Sequence, residues 1–199
     1  SETRIMGVLQ RIALTYGIVA LMLYFFKKKA TVLIGILALF VYWAALYMFG
    51  TPGYELSKTG NAVLYFDKII LGANHLYTGE GFPFDPEGLL STLPALFNVI
   101  AGYLAGAYLQ KKGKNYEAIT RLLLSGIGLL IAAYIWNDFL PVNKKLWTGS
   151  YAVLTVGLDL IIIAFIVYLH DIKSWTKGSN FFVITGKNPL FIYLMSELG

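Results

Sequence analysis

Apolar residues run through this chain in stretches of about 20, the length that crosses a bilayer core of ~30 Å as a helix. Six stretches qualify: Ile5 to Phe26, Ala30 to Phe49, Leu89 to Leu109, Ala118 to Trp136, Trp147 to Leu169, and Asn180 to Leu198, numbered here as spans one to six. The polar positions between them are clustered. Lys27-Lys28-Lys29 leaves room only for a tight helical hairpin between spans one and two. Lys111, Lys112 and Lys114, with Arg121 just after, separate spans three and four, and Lys173 and Lys177 separate spans five and six. The pattern predicts an all-α fold, a polytopic integral-membrane helix bundle of about six transmembrane helices. Residues 1–199 form a single bundle, with 50–86 as an extramembrane loop lacking clear secondary structure.

Composition narrows the class. With 57% hydrophobic and 14% charged residues, the chain is too apolar for an ordinary soluble domain. Its net charge of +5 does not point to nucleic acid, because the lysines sit at the ends of apolar runs as juxtamembrane residues do. No cysteine is present, so disulfides, thiolate metal sites and thiol nucleophiles are excluded. The first apolar run is longer than a signal-peptide core and has no small-residue cleavage site after it, so it reads as a span. The three lysine-rich connections hold nine basic residues against seven elsewhere, which places them in the cytoplasm by the positive-inside rule. Gln10, Arg11, Asn74, His75, Asp85, Glu87, Asn143, Lys144 and Lys145 then gather at the opposite, extracytoplasmic face. The expected setting is a multi-pass protein of a bacterial inner membrane.

The polar groups that are costly to keep in such a chain are the candidates for chemistry. Asp85-Pro86-Glu87-Gly88 reads as the start of a helix, with Asp85 as N-cap, Pro86 at the first helical position and Glu87 in the first turn. Arg11 lies about two turns inside span one, where a charge costs roughly 2.5 to 3.5 kcal/mol and calls for a partner; Asp85, Glu87 or an anionic ligand would serve. Asp159 and Lys187 lie near mid-membrane and are expected to pair with each other. Gly102 and Gly106 form a GxxxG pair that marks a helix contact. Trp43, Trp136, Trp147 and Trp175 suit interface anchors, Trp147 also standing where it could stack on a ligand. His75 is a candidate proton acceptor. The acyltransferase pattern of a histidine followed five residues later by aspartate is not met, since Glu80 stands there. No zinc-ligand spacing, phosphate-binding glycine loop or serine-nucleophile elbow occurs, so no metal is expected.

Five motifs occur in order: Gly7-Val8-Leu9-Gln10-Arg11-Ile12-Ala13; Phe66-Asp67-Lys68-Ile69-Ile70-Leu71-Gly72 with His75-Leu76-Tyr77; Asp85-Pro86-Glu87-Gly88; Pro141-Val142-Asn143-Lys144-Lys145-Leu146-Trp147; and Gly186-Lys187-Asn188-Pro189-Leu190. Together they resemble the heparan-α-glucosaminide N-acetyltransferase family and its bacterial relatives, along nearly the whole chain. The resemblance implies a membrane enzyme that moves an acetyl group from acetyl-coenzyme A to the amine of an amino sugar or related glycan. It also implies that the chain corresponds to a C-terminal portion of a longer multispan enzyme, whose further N-terminal spans carry the histidine regarded as catalytic. A homodimer is among the expected partners.

Acyl transfer to an amine needs a base, donors for the developing oxyanion and cations for the coenzyme phosphates. On this reading His75, Asp85 and Glu87 form the catalytic group: His75 is the local base, and the two carboxylates hold the amine or orient a histidine, Glu87 pairing with Arg11. Arg11, Lys144 and Lys145 would contact phosphates. Asn143 and Asn188 would donate to a carbonyl or a sugar hydroxyl, with Gln10, Trp147 and Lys187 completing the binding set. Two other classes stay open. The polar cluster could line a solute path, with Lys187-Asn188-Pro189 interrupting span six as transporter helices are interrupted, or the chain could be a scaffold portion without catalysis.

Overall fold

The structure is a computed structural model that describes residues 3–79 and 81–198, with side chains as far as residue 195; Glu80 lies outside the described residues. It is an all-helical bundle. Five helices are long and apolar enough to cross a membrane: α1 (Val8–Phe25), α2 (Lys28–Phe49), α4 (Thr92–Lys112), α5 (Tyr116–Asn137) and α6 (Gly149–Val167), which continues to Ile172 as a turn of π-helix. Between α2 and α4 lies α3 (Ala62–Leu71), and the chain ends in α7 (Ser179–Lys187) and α8 (Pro189–Leu198).

Connections set the directions. The α1–α2 hairpin turns within two residues at the lysine-rich end, a short turn joins α4 to α5, and residues 138–148 connect α5 to α6 at the other end. Thus α1, α4 and α6 all begin at the end opposite the lysines. Helix α4 packs against α1, α2 and α6. Helices α5 and α6 approach closely, where a methyl group on Gly126 would stand 2.8 Å from the Gly157 carbonyl. The GxxxG pair behaves otherwise: nothing lies within 4 Å of where side chains on Gly102 or Gly106 would begin, so their face of α4 is open among the described residues.

The connection 50–86 departs most from expectation. Asn61 caps α3 by accepting from the Leu64 amide at 2.8 Å, and a 3-10 turn follows over Ala73–His75. The segment is tethered by apolar contact: Val63, Leu64, Leu76 and Phe84 are buried in one cluster with Tyr42 and Leu46 of α2 and with Leu140 and Leu146. The Tyr42 hydroxyl also donates to the Leu146 carbonyl. The connection is therefore a folded cap on one end of the bundle, its apolar face spread too thinly along the sequence to announce a span.

Two expectations are corrected, the start of α4 and the Asp159–Lys187 pair. Residues 86–91 form turns rather than the first turns of a helix, and α4 starts at Thr92 instead of Leu89. Asp85 Oδ1 still accepts the Glu87 amide at 3.0 Å, but Asp67 of α3 takes the amides of Leu89 and Leu90 from the side and delays helix formation. Span six breaks at Asn188, as the Lys-Asn-Pro sequence suggested, because Pro189 lacks an amide proton and starts a new helix. Asp159 and Lys187 form no ion pair. Both are exposed, and α7 and α8 pack on each other.

Candidate functional site

At the capped end, three backbone segments converge: the residues preceding α1, the turn 84–91 and the turn 141–148. Arg4 joins the first two. Its Nε donates to Asp85 Oδ2 at 2.9 Å, and Nη2 donates to Asp85 Oδ1 and to Glu87 Oε2, each at 2.7 Å. Its guanidinium lies 4.7 Å from the centre of the Tyr77 ring. Asp85 is 1% exposed, so its charge depends on this fork-shaped pairing. The two carboxylates in turn hold the Arg4 guanidinium in its charged form, through their hydrogen bonds and charge.

The same N-terminal segment reaches His75. The Thr3 carbonyl lies 2.9 Å from His75 Nδ1, and the Ile5 amide donates to the His75 carbonyl at 3.2 Å. A carbonyl only accepts, so Nδ1 carries a proton and donates this bond. Residues 3–5 thus form a clasp with His75 on one side and Asp85 and Glu87 on the other.

Arg11 has a different role from the one expected. It is 6% exposed, and it pairs with neither acid by hydrogen bond. Instead Nη1 donates to the Pro86 carbonyl at 3.0 Å and Nη2 to the Ser91 carbonyl at 2.5 Å, so it closes the turn ahead of α4. The expected Glu87–Arg11 pair is replaced by Glu87–Arg4, because Arg4 sits outside the first helical turn and can reach around the cap. Trp147 supports Arg11 from the other side, its ring centre 4.4 Å from the guanidinium carbon. The indole is held by a bond from Nε1 to Asn98 Oδ1 at 3.3 Å, and Asn98 donates to Thr155 Oγ1 at 2.9 Å. At φ 53° Trp147 adopts a left-handed backbone conformation that a bulky residue visits only when its surroundings hold it there. Asn143 contributes to that hold: its side-chain oxygen accepts the amides of Lys145 and Leu146 at 2.9 and 3.2 Å.

Asp67 completes the cluster from beneath. Oδ1 accepts the Leu89 and Leu90 amides at 3.0 and 3.4 Å, while Oδ2 is buried without a hydrogen-bond partner, as is Nε of Arg11. A side chain on Gly88 would collide with this carboxyl. Burial pushes the Asp67 carboxyl up to about 7, against the two amide bonds and the Arg11 charge, which lower it. The fold thus retains a proton that the unfolded chain releases near pH 4. The resulting stabilisation is complete below that pH and is lost as pH rises through 7. Between pH 4 and 7 the unfolding free energy is expected to fall with a slope from this group approaching ~1.4 kcal/mol per pH unit. Asp67→Asn should remove that component in chemical denaturation, and parallel curves for the two proteins would refute it.

The remaining sequence candidates divide. Asn143 and Trp147 belong to the cluster, with the structural partners just described. Lys144 is exposed and Lys145 half-buried on the turn beside Trp147. Gln10 points outward from α1 and is exposed. Lys187 and Asn188 stand at the α7–α8 break; the Asn188 amide group donates to Ile184 within α7, and no hydrogen bond or ion pair joins either residue to the cluster. Among the described residues no group of three His, Cys, Asp or Glu side chains could hold a metal. Arg4, Asp67 and Asn98 were not singled out from sequence as site residues. A basic residue just ahead of the first span and an acid within Ala62–Leu71 were visible, but nothing local ranked them above other polar residues in the connections.

No family model matches the chain. It is 30% identical to the heparan-alpha-glucosaminide N-acetyltransferase of Mus musculus, in an alignment that takes in 99% of this chain and 38% of the mouse protein. It is 26% identical to the protein of that name from Homo sapiens, over 99% of this chain and 37% of the human one. The chain therefore spans less than two fifths of the length of the curated relatives it matches. With the ordered motifs and the all-helical bundle, these alignments show that the chain is similar, along almost its whole length, to part of the heparan-alpha-glucosaminide N-acetyltransferases of mouse and human.

Proposed function

We propose that this chain provides part of a membrane N-acetyltransferase that moves acetyl from acetyl-coenzyme A to the amine of an amino sugar or glycan. The observation that carries the reading is the similarity to named N-acetyltransferases along 99% of the chain. The geometry is compatible with that chemistry. His75, with its proton on Nδ1, offers Nε2 to take a proton from an attacking amine as nitrogen bonds to the thioester carbonyl; the carbon–sulfur bond breaks and the thiolate leaves. Asp85 and Glu87 are engaged by Arg4, which favours a role in positioning the His75 segment over direct contact with the amine. Lys144 and Lys145, on the turn beside Trp147, supply positive charge suited to coenzyme phosphates. No bond links Lys187 to this cluster, so the interrupted helix lends no support to a solute path here.

The test uses the purified chain in detergent. Millimolar acetyl-coenzyme A is expected to raise its melting temperature by binding only the folded state. His75→Gln is expected to keep that shift and to lower acetyl transfer to glucosamine by about 10²-fold or more, the usual worth of a general base. Absence of any shift with acetyl-coenzyme A would overturn the reading for this chain. Full transfer by the His75→Gln variant would remove His75 from it.

A further inference from the structure

We propose that the hollow between α4, α5 and α6 binds one acyl chain of an anionic phospholipid, with the lipid phosphate held at Arg121 and Tyr108. The hollow has a volume of about 330 Å³ and runs along the middle of the bundle, from Tyr108 and Arg121 toward the lysine-rich end to Phe97 and Leu129. Its lining is graded. Tyr108, Arg121 and Ser125 stand near the end where α4 meets α5, and deeper in the wall is apolar, with Phe97, Leu129 and Leu160. From Phe97 to Tyr108 is eleven residues along α4, or about 16 Å at 1.5 Å per residue.

The polar end points to the headgroup. The Tyr108 hydroxyl is buried and has no hydrogen-bond partner, a state that costs free energy in a membrane interior and that a phosphate or ester oxygen would relieve. Arg121 pairs with Glu117 at 2.9 Å, which occupies one of its five N–H donors. At the same end of the bundle, Lys28 lies 5.8 Å from the Tyr103 ring, Lys111 and Lys112 end α4, and Lys114 pairs with Asp171 at 2.7 Å. These four lysines and Arg121 outnumber the two acids Glu117 and Asp171, so this end of the bundle favours an anionic headgroup over a zwitterionic one. A free phosphate would leave the apolar depth unfilled, whereas an amphiphile matches both ends.

The full chain in nonionic detergent is titrated with dioleoylphosphatidylglycerol or dioleoylphosphatidylcholine, and retained lipid is read by native mass spectrometry beside the melting temperature. Phosphatidylglycerol is expected to be retained selectively and to raise the melting temperature by several degrees. Arg121→Gln should weaken retention about tenfold and Tyr108→Phe about fivefold, the worth of a charged and a neutral hydrogen bond. Leu129→Trp, which fills the hollow, should abolish it. Tyr108→Phe is a one-atom change that removes an unpartnered hydroxyl, so its lipid-free melting temperature should be no lower than the parent's and weaker retention cannot be a folding defect. Equal retention of the two lipids, or unchanged binding in both Arg121→Gln and Tyr108→Phe, would overturn the proposal. So would displacement of the lipid by an equal concentration of coenzyme A.

Discussion

Arg4→Ala is expected to destabilise the protein by about 3 kcal/mol, the usual cost of stripping a buried ion of its partner. Asp85 is 1% exposed and its oxygens accept from Arg4 Nε and Nη2, so losing the guanidinium leaves a buried carboxylate without its hydrogen-bonded cation. The Arg4→Ala, Asp85→Asn double variant should recover part of the loss, because its remaining amide is neutral. Arg4→Lys should recover less than the fork geometry provides, since an ammonium cannot meet both Asp85 oxygens and Glu87 in one plane. Thermal unfolding in detergent reads all three. An Arg4→Ala cost no greater than that of Arg121→Ala, whose ion pair is exposed on both sides, would show that the Arg4 cluster is ordinary surface pairing.

Arg11→Ala carries the second large effect, about 3 kcal/mol, with a different signature. Its two hydrogen bonds go to the carbonyls of Pro86 and Ser91, which bracket the turn ahead of α4, and charged bonds of this kind are worth ~1.5–3 kcal/mol each before the relief of desolvation. Removing them should loosen the turn and free the Trp147 ring, whose face the guanidinium covers. The expected readout is a lower melting temperature together with faster amide exchange at residues 86–91. Arg11→Lys should restore the charge and one bond, giving an intermediate loss. If Arg11→Ala changes stability but leaves exchange in that turn as in the parent, Arg11 acts through α1 alone, and the closing role assigned to it is wrong.

The two arginines show how far the chain could be read without its fold. Arg11 was legible as a costly charge in an apolar run, and its need for a partner followed from the energetics of burial. Which partner could not follow, because Pro86 and Ser91 offer only backbone carbonyls, and every residue has one. Arg4, outside the span, carried no such cost in sequence, yet it makes the ion pairs expected of Arg11. Asp67 was hidden in the same way: it resembled a solvated loop acid until α3 was found packed beneath the turn that contains Gly88. Lys187 is the opposite case: its motif stood out in the sequence, and no hydrogen bond or ion pair joins it to the cluster.

Long apolar runs, the lysines between them and the triple-lysine hairpin were enough to determine the helical class, five of the helices and their alternating directions, because insertion of a 20-residue apolar helix is decided by local composition. The Lys-Asn-Pro sequence likewise determined the break at Asn188, since proline removes a backbone donor wherever it stands. Tertiary structure alone decided which cation meets which acid, that residues 50–86 form a packed cap, and that Gly126 and Gly157 make the close helix contact while Gly102 and Gly106 do not. Those outcomes depend on distances between residues far apart in sequence, and buried polar groups take whichever partner the packing brings within hydrogen-bond reach.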